Sequence, residues 1–191
     1  MKEAAWIGTY GSSLRVELIC TPIESAIEAA AFDAVVIESN GSLSTAEAAS
    51  GRLLNFAGSA VVEQARALLP LGIGDVAVTF GGHLPIWHIL HAVTIDQARN
   101  LFPTERTIRQ ITRRILTRCE ALQIRQLAMP AIGAELGRLD TVASTRSVLA
   151  VLREHARFVT VLQHVFNQVC REPREHDRDT QSGQSTPSRA L

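Results

Sequence analysis

The chain has 191 residues, enough for one domain with additional segments, and 46% of them are hydrophobic while 20% are charged. This balance is typical of a globular protein with a sizeable core and excludes a largely disordered chain. Lys+Arg and Asp+Glu both number 19, so the formal net charge is zero. Without a strong positive field, extended nucleic acid is not expected as the main partner.

Short apolar runs alternate with helix-like stretches along the chain, a pattern typical of α/β layering. Several of the runs are nearly continuous Val, Ile and Leu, as expected of strands covered on both faces. The predicted strands are residues 4–7, 14–20, 33–39, 75–80, 86–93, 126–131 and 157–166, with a turn at 8–12. The predicted helices are residues 25–31, 46–56, 59–69, 104–122 and 141–155.

The ends of these helices have their own signals. Gly58 separates two helices as a C′ residue, and Asp140 is a good N-cap for the last one. From residue 171 to residue 189 the chain is charged and polar, with no apolar side chain other than proline. Such a segment buries too little surface to offset its ordering entropy. We therefore predict one domain over residues 1–170 and a disordered polar tail over residues 171–191.

The three cysteines, Cys20, Cys119 and Cys170, are far apart and follow no metal-binding spacing. They predict reduced, buried thiols rather than disulfides or a zinc site. No apolar run reaches the roughly 18 residues that a membrane span needs, and Met1 and Lys2 do not open a signal peptide. The expectation is a cytoplasmic protein with no membrane partner.

Three nearby histidines raise the possibility of a metal site, which their spacing does not favour. His88 and His91 are three residues apart, so on one strand they point to opposite faces. With His83 they make poor zinc geometry, and no cysteine lies near. We expect no metal and no cofactor, a satisfied core histidine at His91, and packing rather than base stacking for Trp87.

Four blocks of the sequence stand out, in the order Asp33-Ala-Val-Val-Ile-Glu-Ser-Asn40 with Gly41–Gly58, Gly74–Pro85, Ile89–Val93 and Met129–Leu139. In the same order they resemble the motifs of the macro domain family, of the ADP-ribose-binding, Appr-1''-p processing type. The first block matches a family strand D-A-I-V-N-A-A-N, then S-x-L, and a helix ending A-A-G. The other three match G-x-A-x-x-T-x-G-x-x-L-P, then I-I-H-x-V, then F-P-A-I-G-T-G-x-G-G-L. The resemblance implies a three-layer α/β/α fold around a mixed, mostly parallel sheet.

The resemblance also implies a ligand cleft at the ends of the strands, where family members hold ADP-ribose. Asn40 would hold a ribose hydroxyl, and two loops would turn backbone N–H groups toward the diphosphate. The first loop contributes residues 44–49 and the second contributes residues 133–138. The predicted ligand contacts are Ile23, Asn40, Ser42, Leu43, Thr45, Ala46, Glu47, Ala48, Ala49, Gly133, Ala134, Glu135, Leu136, Gly137 and Arg138.

Both loops depart from the family pattern. Thr45-Ala46-Glu47-Ala48 stands in place of a glycine run, and Glu135 replaces a glycine in the second loop. Each acid would put a carboxylate near the expected phosphate, which is an unfavourable pairing of charges. Where the family has an adenine-binding aspartate, this chain has Pro22, which leaves only backbone groups of Ile23 to contact a base.

The catalytic positions that the resemblance implies are altered as well. Ser50 stands where family hydrolases have an aspartate, and a serine hydroxyl does not replace a carboxylate base. Leu54 stands where many members have a histidine. The remaining candidate catalytic residues are Asn40 and Glu47, about one helical turn before Ser50.

We therefore predict a domain that binds ADP-ribose or a related nucleotide metabolite, free or on an ADP-ribosylated protein, without efficient catalysis. Two alternatives stay open. One is an ADP-ribosyl hydrolase, acting on mono-ADP-ribose or O-acetyl-ADP-ribose, in which Glu47 or Glu135 substitutes for the missing acid. The other is a degenerate macro fold that serves as an interaction or scaffold domain, which the acids in both loops favour.

Overall fold

A computed structural model of the protein describes residues 4–10, 14–19, 22–43, 49–136, 138–155 and 162–165. These residues form a seven-stranded sheet and five helices. The strands are β1 Ala4–Tyr10, β2 Leu14–Ile19, β3 Ala34–Asn40, β4 Val76–Phe80, β5 His88–Ile95, β6 Leu127–Met129 and β7 Leu162–Val165. The helices are α1 Ile23–Ala29, α2 Ala49–Ala57, α3 Ser59–Arg66, α4 Glu105–Ala121 and α5 Thr141–His155.

The strand order is β1-β2-β7-β6-β3-β5-β4. The four inner pairings, from β2 to β5, are parallel, whereas β1 and β4 join the two edges in the antiparallel sense. The predicted fold, a mixed and mostly parallel sheet between helices, is confirmed. The predicted turn at residues 8–12 is wrong for Gly8, Thr9 and Tyr10, because these residues continue β1 and pair with β2. Gly11 and Ser12 lie outside the described residues.

Strand β3 shows how the sheet divides the core between its two faces. Ala34 and Val36 pack with residues of α4 and α5, while Val35 and Ile37 pack with residues of α1, α2 and α3. The alternation follows from the two-residue repeat of a strand. All seven residues of β3 are buried, which is why the apolar run in the sequence is nearly continuous.

The helix ends agree with their sequence signals. Thr104 caps α4 in a reciprocal capping box with Thr107, and Asp140 Oδ2 accepts a hydrogen bond from the Ala143 N–H at 2.9 Å. Gly58 follows α2 with φ +97, a conformation that glycine adopts without strain. The predicted helix 46–56 is described from Ala49 onward.

Several predictions fall partly or wholly outside the described residues. They are the predicted strand 157–166 outside Leu162–Val165, the domain limit at residue 170, the polar tail over residues 171–191, and the thiols of Cys20 and Cys170. Cys119 is a free, buried cysteine, as predicted. Within the described ranges, no helix has the length and apolar character needed to cross a membrane.

Candidate functional site

The loops that follow β3 and β6 reach the same edge of the sheet, because these two strands are parallel neighbours. The start of α2 faces the loop after β6 across a pocket of about 70 Å³. The walls are apolar at Ile23, Leu53 and Ala131, and Ser50 and Glu135 supply polar groups. The pocket therefore combines an apolar wall with a helix start and one carboxylate.

The Glu135 carboxylate caps the start of α2. Its Oε1 accepts hydrogen bonds from the Ala49 N–H and, at 3.4 Å, from the Ser50 N–H. Its Oε2 accepts a hydrogen bond from the Ser50 hydroxyl at 2.9 Å. The first N–H groups of a helix lack partners inside the helix and attract anions. Here the anion that they hold belongs to the chain itself.

A second acid, Glu38, lies beneath the loop after β6, and sequence reasoning missed it. Its side chain is fully buried on β3. Oε1 accepts from the N–H groups of Gly133 at 2.8 Å and Glu135 at 3.2 Å. Oε2 accepts from the Leu136 N–H and the Thr94 hydroxyl, both at 3.2 Å. The one signal in the sequence was an acid within a run that is otherwise suited to burial, at a position where the family pattern has alanine.

The environment of Glu38 favours its neutral form. Burial raises the pKa of this carboxyl from 4.5 to about 7, and the nearby Glu135 carboxylate acts in the same direction. The N–H groups of Leu136, Glu135 and Gly133 oppose the shift, because they stabilise the ionised form. Glu135, which belongs to the loop above Glu38, is therefore one of the groups that raise the pKa of Glu38.

The backbone of this loop is committed to contacts within the chain. The N–H groups of Gly133, Glu135 and Leu136 donate to Glu38, and the Ala134 N–H donates to the Ala131 carbonyl at 3.0 Å. Gly133 has φ +88, and an added Cβ would lie 2.7 Å from Ile108 Cδ1, so glycine is required there. Gly137 lies outside the described residues.

Asn40 and Ser42 form a turn at the end of β3. Asn40 Oδ1 accepts from the Ser42 N–H at 3.1 Å and from the Ser42 hydroxyl at 2.8 Å. Asn40 Nδ2 donates to Gln97 Oε1 at 3.5 Å. These residues line an open groove of about 600 Å³ together with Leu71 and Arg99. No described residue lines both this groove and the pocket beside α2.

The predicted contact residues thus separate into groups. Ile23, Ala49, Ala134 and Glu135 line the pocket, and Asn40 and Ser42 line the groove. Leu43 packs in a small cluster with three other apolar side chains. Arg138 stacks its guanidinium over Phe102 at 4.8 Å. Thr45, Ala46, Glu47, Ala48 and Gly137 lie outside the described residues, and ligand contact by any of the predicted residues stays a prediction.

The histidines contribute no metal site in the described part of the chain, where no group of three or more His, Cys, Asp or Glu side chains is placed to hold an ion. His91 is buried, and its Nε2 hydrogen-bonds the Thr79 hydroxyl at 2.9 Å. Burial lowers the pKa of His91 from 6.5 to about 4. Among the described residues, the His91 Nδ1 has no hydrogen-bond partner, so the prediction of a satisfied histidine is met at one of the two ring nitrogens. The packing expected of Trp87 is wrong, because its side chain is 75% exposed.

A family model described as Macro domain matches residues 38–148. An uncharacterized protein of Aeropyrum pernix is 30% identical over 131 residues, which cover 69% of this chain and 65% of that relative. A second uncharacterized protein, from Pyrobaculum aerophilum, is 27% identical over 138 residues, 70% of this chain and 74% of the relative. The matched part therefore spans about two thirds of the length of the Aeropyrum pernix protein.

The fold is similar to those of solved macrodomains. The Oceanobacillus iheyensis macrodomain with MES bound superposes with a TM-score of 0.75 at 17% identity, covering 88% of this chain and 91% of that one. The same macrodomain with ADP gives 0.70 at 18% identity, covering 87% of each chain. A Trypanosoma brucei macrodomain in complex with ADP-ribose gives 0.68 at 19% identity, covering 80% of this chain and 64% of that one. At these identities the likeness is one of fold.

Proposed function

This chain belongs to the macro domain family, and we propose that it binds ADP-ribose or a related nucleotide metabolite beside the start of α2, without efficient catalysis. Two of the similar structures hold ADP and ADP-ribose. The observation that carries the proposal is local. The N–H groups of Ala49 and Ser50 already hold an anion, the Glu135 carboxylate, at the wall of a pocket. A helix start that binds a carboxylate has the donors that a phosphate requires.

A nucleotide needs more room than the pocket offers with Glu135 in this position. Ligand pockets for small molecules have volumes of roughly 300–1,000 Å³, whereas this pocket has about 70 Å³. The Glu135 side chain is partly exposed, so on the proposed function a ligand would displace it from the α2 donors toward solvent. The apolar side chains of Ile23 and Leu53 would then face a base or a ribose.

The absence of efficient catalysis is part of the proposal. Ser50 is buried, and its hydroxyl is held between the Glu135 carboxylate and the Glu38 N–H, which donates to it at 3.0 Å. Leu54 is also buried and has no titratable group. Neither position supplies the base that activation of water needs.

One observation favours a second candidate, an ADP-ribosyl hydrolase. Glu135 Oε2 lies 2.9 Å from the Ser50 hydroxyl, next to the position that family hydrolases fill with an aspartate. Glu135 is therefore the described carboxylate that is best placed to act as a substitute base. A hydrolysis assay on mono-ADP-ribosylated protein separates the two functions. Turnover that is lost in Glu135→Gln while product binding persists would establish the hydrolase.

Calorimetric titration of the purified chain with ADP-ribose tests binding directly, with adenosine monophosphate as the comparison ligand. We expect saturable heat with a dissociation constant in the micromolar range or weaker for ADP-ribose. No heat at millimolar ADP-ribose would overturn the proposal. The macro fold would then serve as an interaction domain, and the search for ligands would move to protein partners.

A further inference from the structure

Two acids, Glu38 and Glu135, accept hydrogen bonds from the backbone around the cleft, and they differ in burial. Glu38 is fully buried, and its carboxyl accepts hydrogen bonds from three N–H groups of the loop after β6. Glu135 is partly exposed and lines the pocket, and its carboxylate accepts hydrogen bonds from the donors at the start of α2. One acid is therefore out of reach of a ligand, while the other stands in the path of a ligand.

The buried acid fixes the direction in which the loop donors point. Because Glu38 receives the N–H groups of Gly133, Glu135 and Leu136, these groups face the interior of the protein rather than the pocket. Among the described residues at the pocket, the start of α2 is then the place where backbone donors meet a ligand anion. Ala49 and Ser50 supply two N–H groups there, and Ser50 adds its hydroxyl.

Each of these three donors is occupied by the Glu135 carboxylate. A phosphate that approaches α2 has to displace a charge-assisted contact that already exists, so it gains less than it would at an empty helix start. The displaced carboxylate stays on the same loop and repels the phosphate. A ligand that is uncharged at this end also needs the Glu135 side chain to move aside, but the displaced carboxylate does not repel it, and a hydroxyl on such a ligand can donate to the carboxylate.

Resting on the proposed function, we propose that Glu135 determines the charge specificity of this cleft. It lowers the affinity for a nucleotide whose phosphate must reach α2, and it favours the corresponding nucleoside without phosphate. Glu135 thus accepts the hydrogen bonds of the same α2 donors that a ligand phosphate would use.

The test compares two ligands that share a base and a ribose, ADP-ribose and adenosine, by calorimetry. Glu135→Gln removes the charge and keeps an oxygen that can still accept from the α2 donors. Glu135→Gly removes the side chain altogether, so its result does not depend on where the amide of a glutamine at position 135 lies. Glu120→Gln is the matched control, because Glu120 is exposed on α4 and the substitution changes the net charge by the same amount. Thermal unfolding verifies that each variant is folded.

Glu135→Gln is expected to bind ADP-ribose at least tenfold more tightly than the natural chain, while its affinity for adenosine changes less than threefold. Glu135→Gly also enlarges the pocket, so its gain in affinity should be larger for ADP-ribose than for adenosine. Glu120→Gln should match the natural chain with both ligands. Binding of ADP-ribose to the natural chain with no gain in either Glu135 variant, or with equal gains for both ligands, overturns this inference alone. ADP-ribose binding by the Glu135 variants but not by the natural chain supports the inference and overturns the proposed function. No binding of either ligand to any variant overturns both.

Discussion

Glu38 and His91 are buried ionisable residues on neighbouring strands, and burial shifts their pKa values in opposite directions. The carboxyl of Glu38 has its pKa raised to about 7, so the folded protein binds a proton there more readily than the unfolded chain does. The imidazole of His91 has its pKa lowered to about 4, so the folded protein binds a proton there less readily. Both shifts have desolvation as their main cause.

Because the two pKa shifts have opposite directions, Glu38 and His91 make the free energy of unfolding depend on pH in opposite ways. For Glu38, the stabilising contribution is complete below pH 4.5 and is lost as the pH rises toward 7. For His91, the contribution is complete above pH 6.5 and is lost as the pH falls toward 4. Between pH 4.5 and 6.5 the two dependences offset each other in the natural chain.

Single substitutions should therefore reveal each dependence. In His91→Gln the free energy of unfolding is expected to fall as the pH rises from 4.5 to 7. In Glu38→Gln it is expected to rise with pH between 4 and 6.5. In either variant, the slope of the free energy of unfolding against pH reaches at most about 1.4 kcal/mol per pH unit. Urea denaturation at a series of pH values measures the slope in each variant. Slopes of the same sign in the two variants would show that the pKa shifts assigned to Glu38 and His91 are wrong.

Cys119 offers a separate test at the residue scale. Burial raises the pKa of its thiol from 9.0 to about 12, and the nearby acids Glu120 and Asp33 add to the shift. Because the thiolate is the reactive form, the folded protein should leave this thiol unmodified by iodoacetamide at pH 8, whereas protein in urea is modified within minutes. Mass spectrometry of the tryptic peptide over residues 119–125 reports the extent. Rapid modification in the native protein would contradict the burial of α4 against the sheet.

At the scale of elements, α4 is the helix that the sequence defined best, and its buried face is the clearest stability prediction. Ile115 is fully buried in the core between the sheet, α4 and α5. Ile115→Ala should lower the free energy of unfolding by about 2–5 kcal/mol, because it removes apolar contacts and leaves a cavity. Glu120→Ala on the exposed face of the same helix should change it by less than about 0.5 kcal/mol. Equal effects in urea denaturation would contradict the orientation of α4.

The elements that the sequence predicted well are those whose signals are local. The three- and four-residue spacing of Ile108, Ile111 and Ile115 defined α4, and Asp140 marked the start of α5. The end of β1 was predicted too early because Gly8 indicates a turn. Pairing with β2, a partner outside the local sequence, holds the strand straight through that glycine.

At the candidate site, local sequence signals did not predict the contacts between distant residues. The presence of an acid at Glu135 beside the expected phosphate could be predicted, but its contact with Ala49, 86 positions away, could not. Glu38 was missed because its partners in the loop after β6 lie 95 to 98 positions along the chain. All three of those partners are backbone N–H groups, whose directions no side-chain pattern reveals.

For the whole molecule, the parallel inner strands bring the loops after β3 and β6 to one edge, and both acids act at that edge. Glu38 belongs to a central strand and Glu135 to the loop that Glu38 holds, so the sheet, the loop and the start of α2 form one connected polar unit. The macro fold is retained around a cleft in which the Glu135 carboxylate accepts the hydrogen bonds of the α2 donors. Under the proposed function, binding of ADP-ribose would exchange one anion for another at α2.

The most direct test of that exchange follows the backbone amides by NMR during a titration with ADP-ribose. We predict saturable shifts of the Ala49 and Ser50 amide signals, because these groups leave the Glu135 carboxylate for a phosphate. The Gly133 amide, which donates to the buried Glu38 carboxyl, should shift much less. Unchanged Ala49 and Ser50 signals at millimolar ADP-ribose, or saturable shifts confined to the groove beside Asn40, would contradict binding at α2.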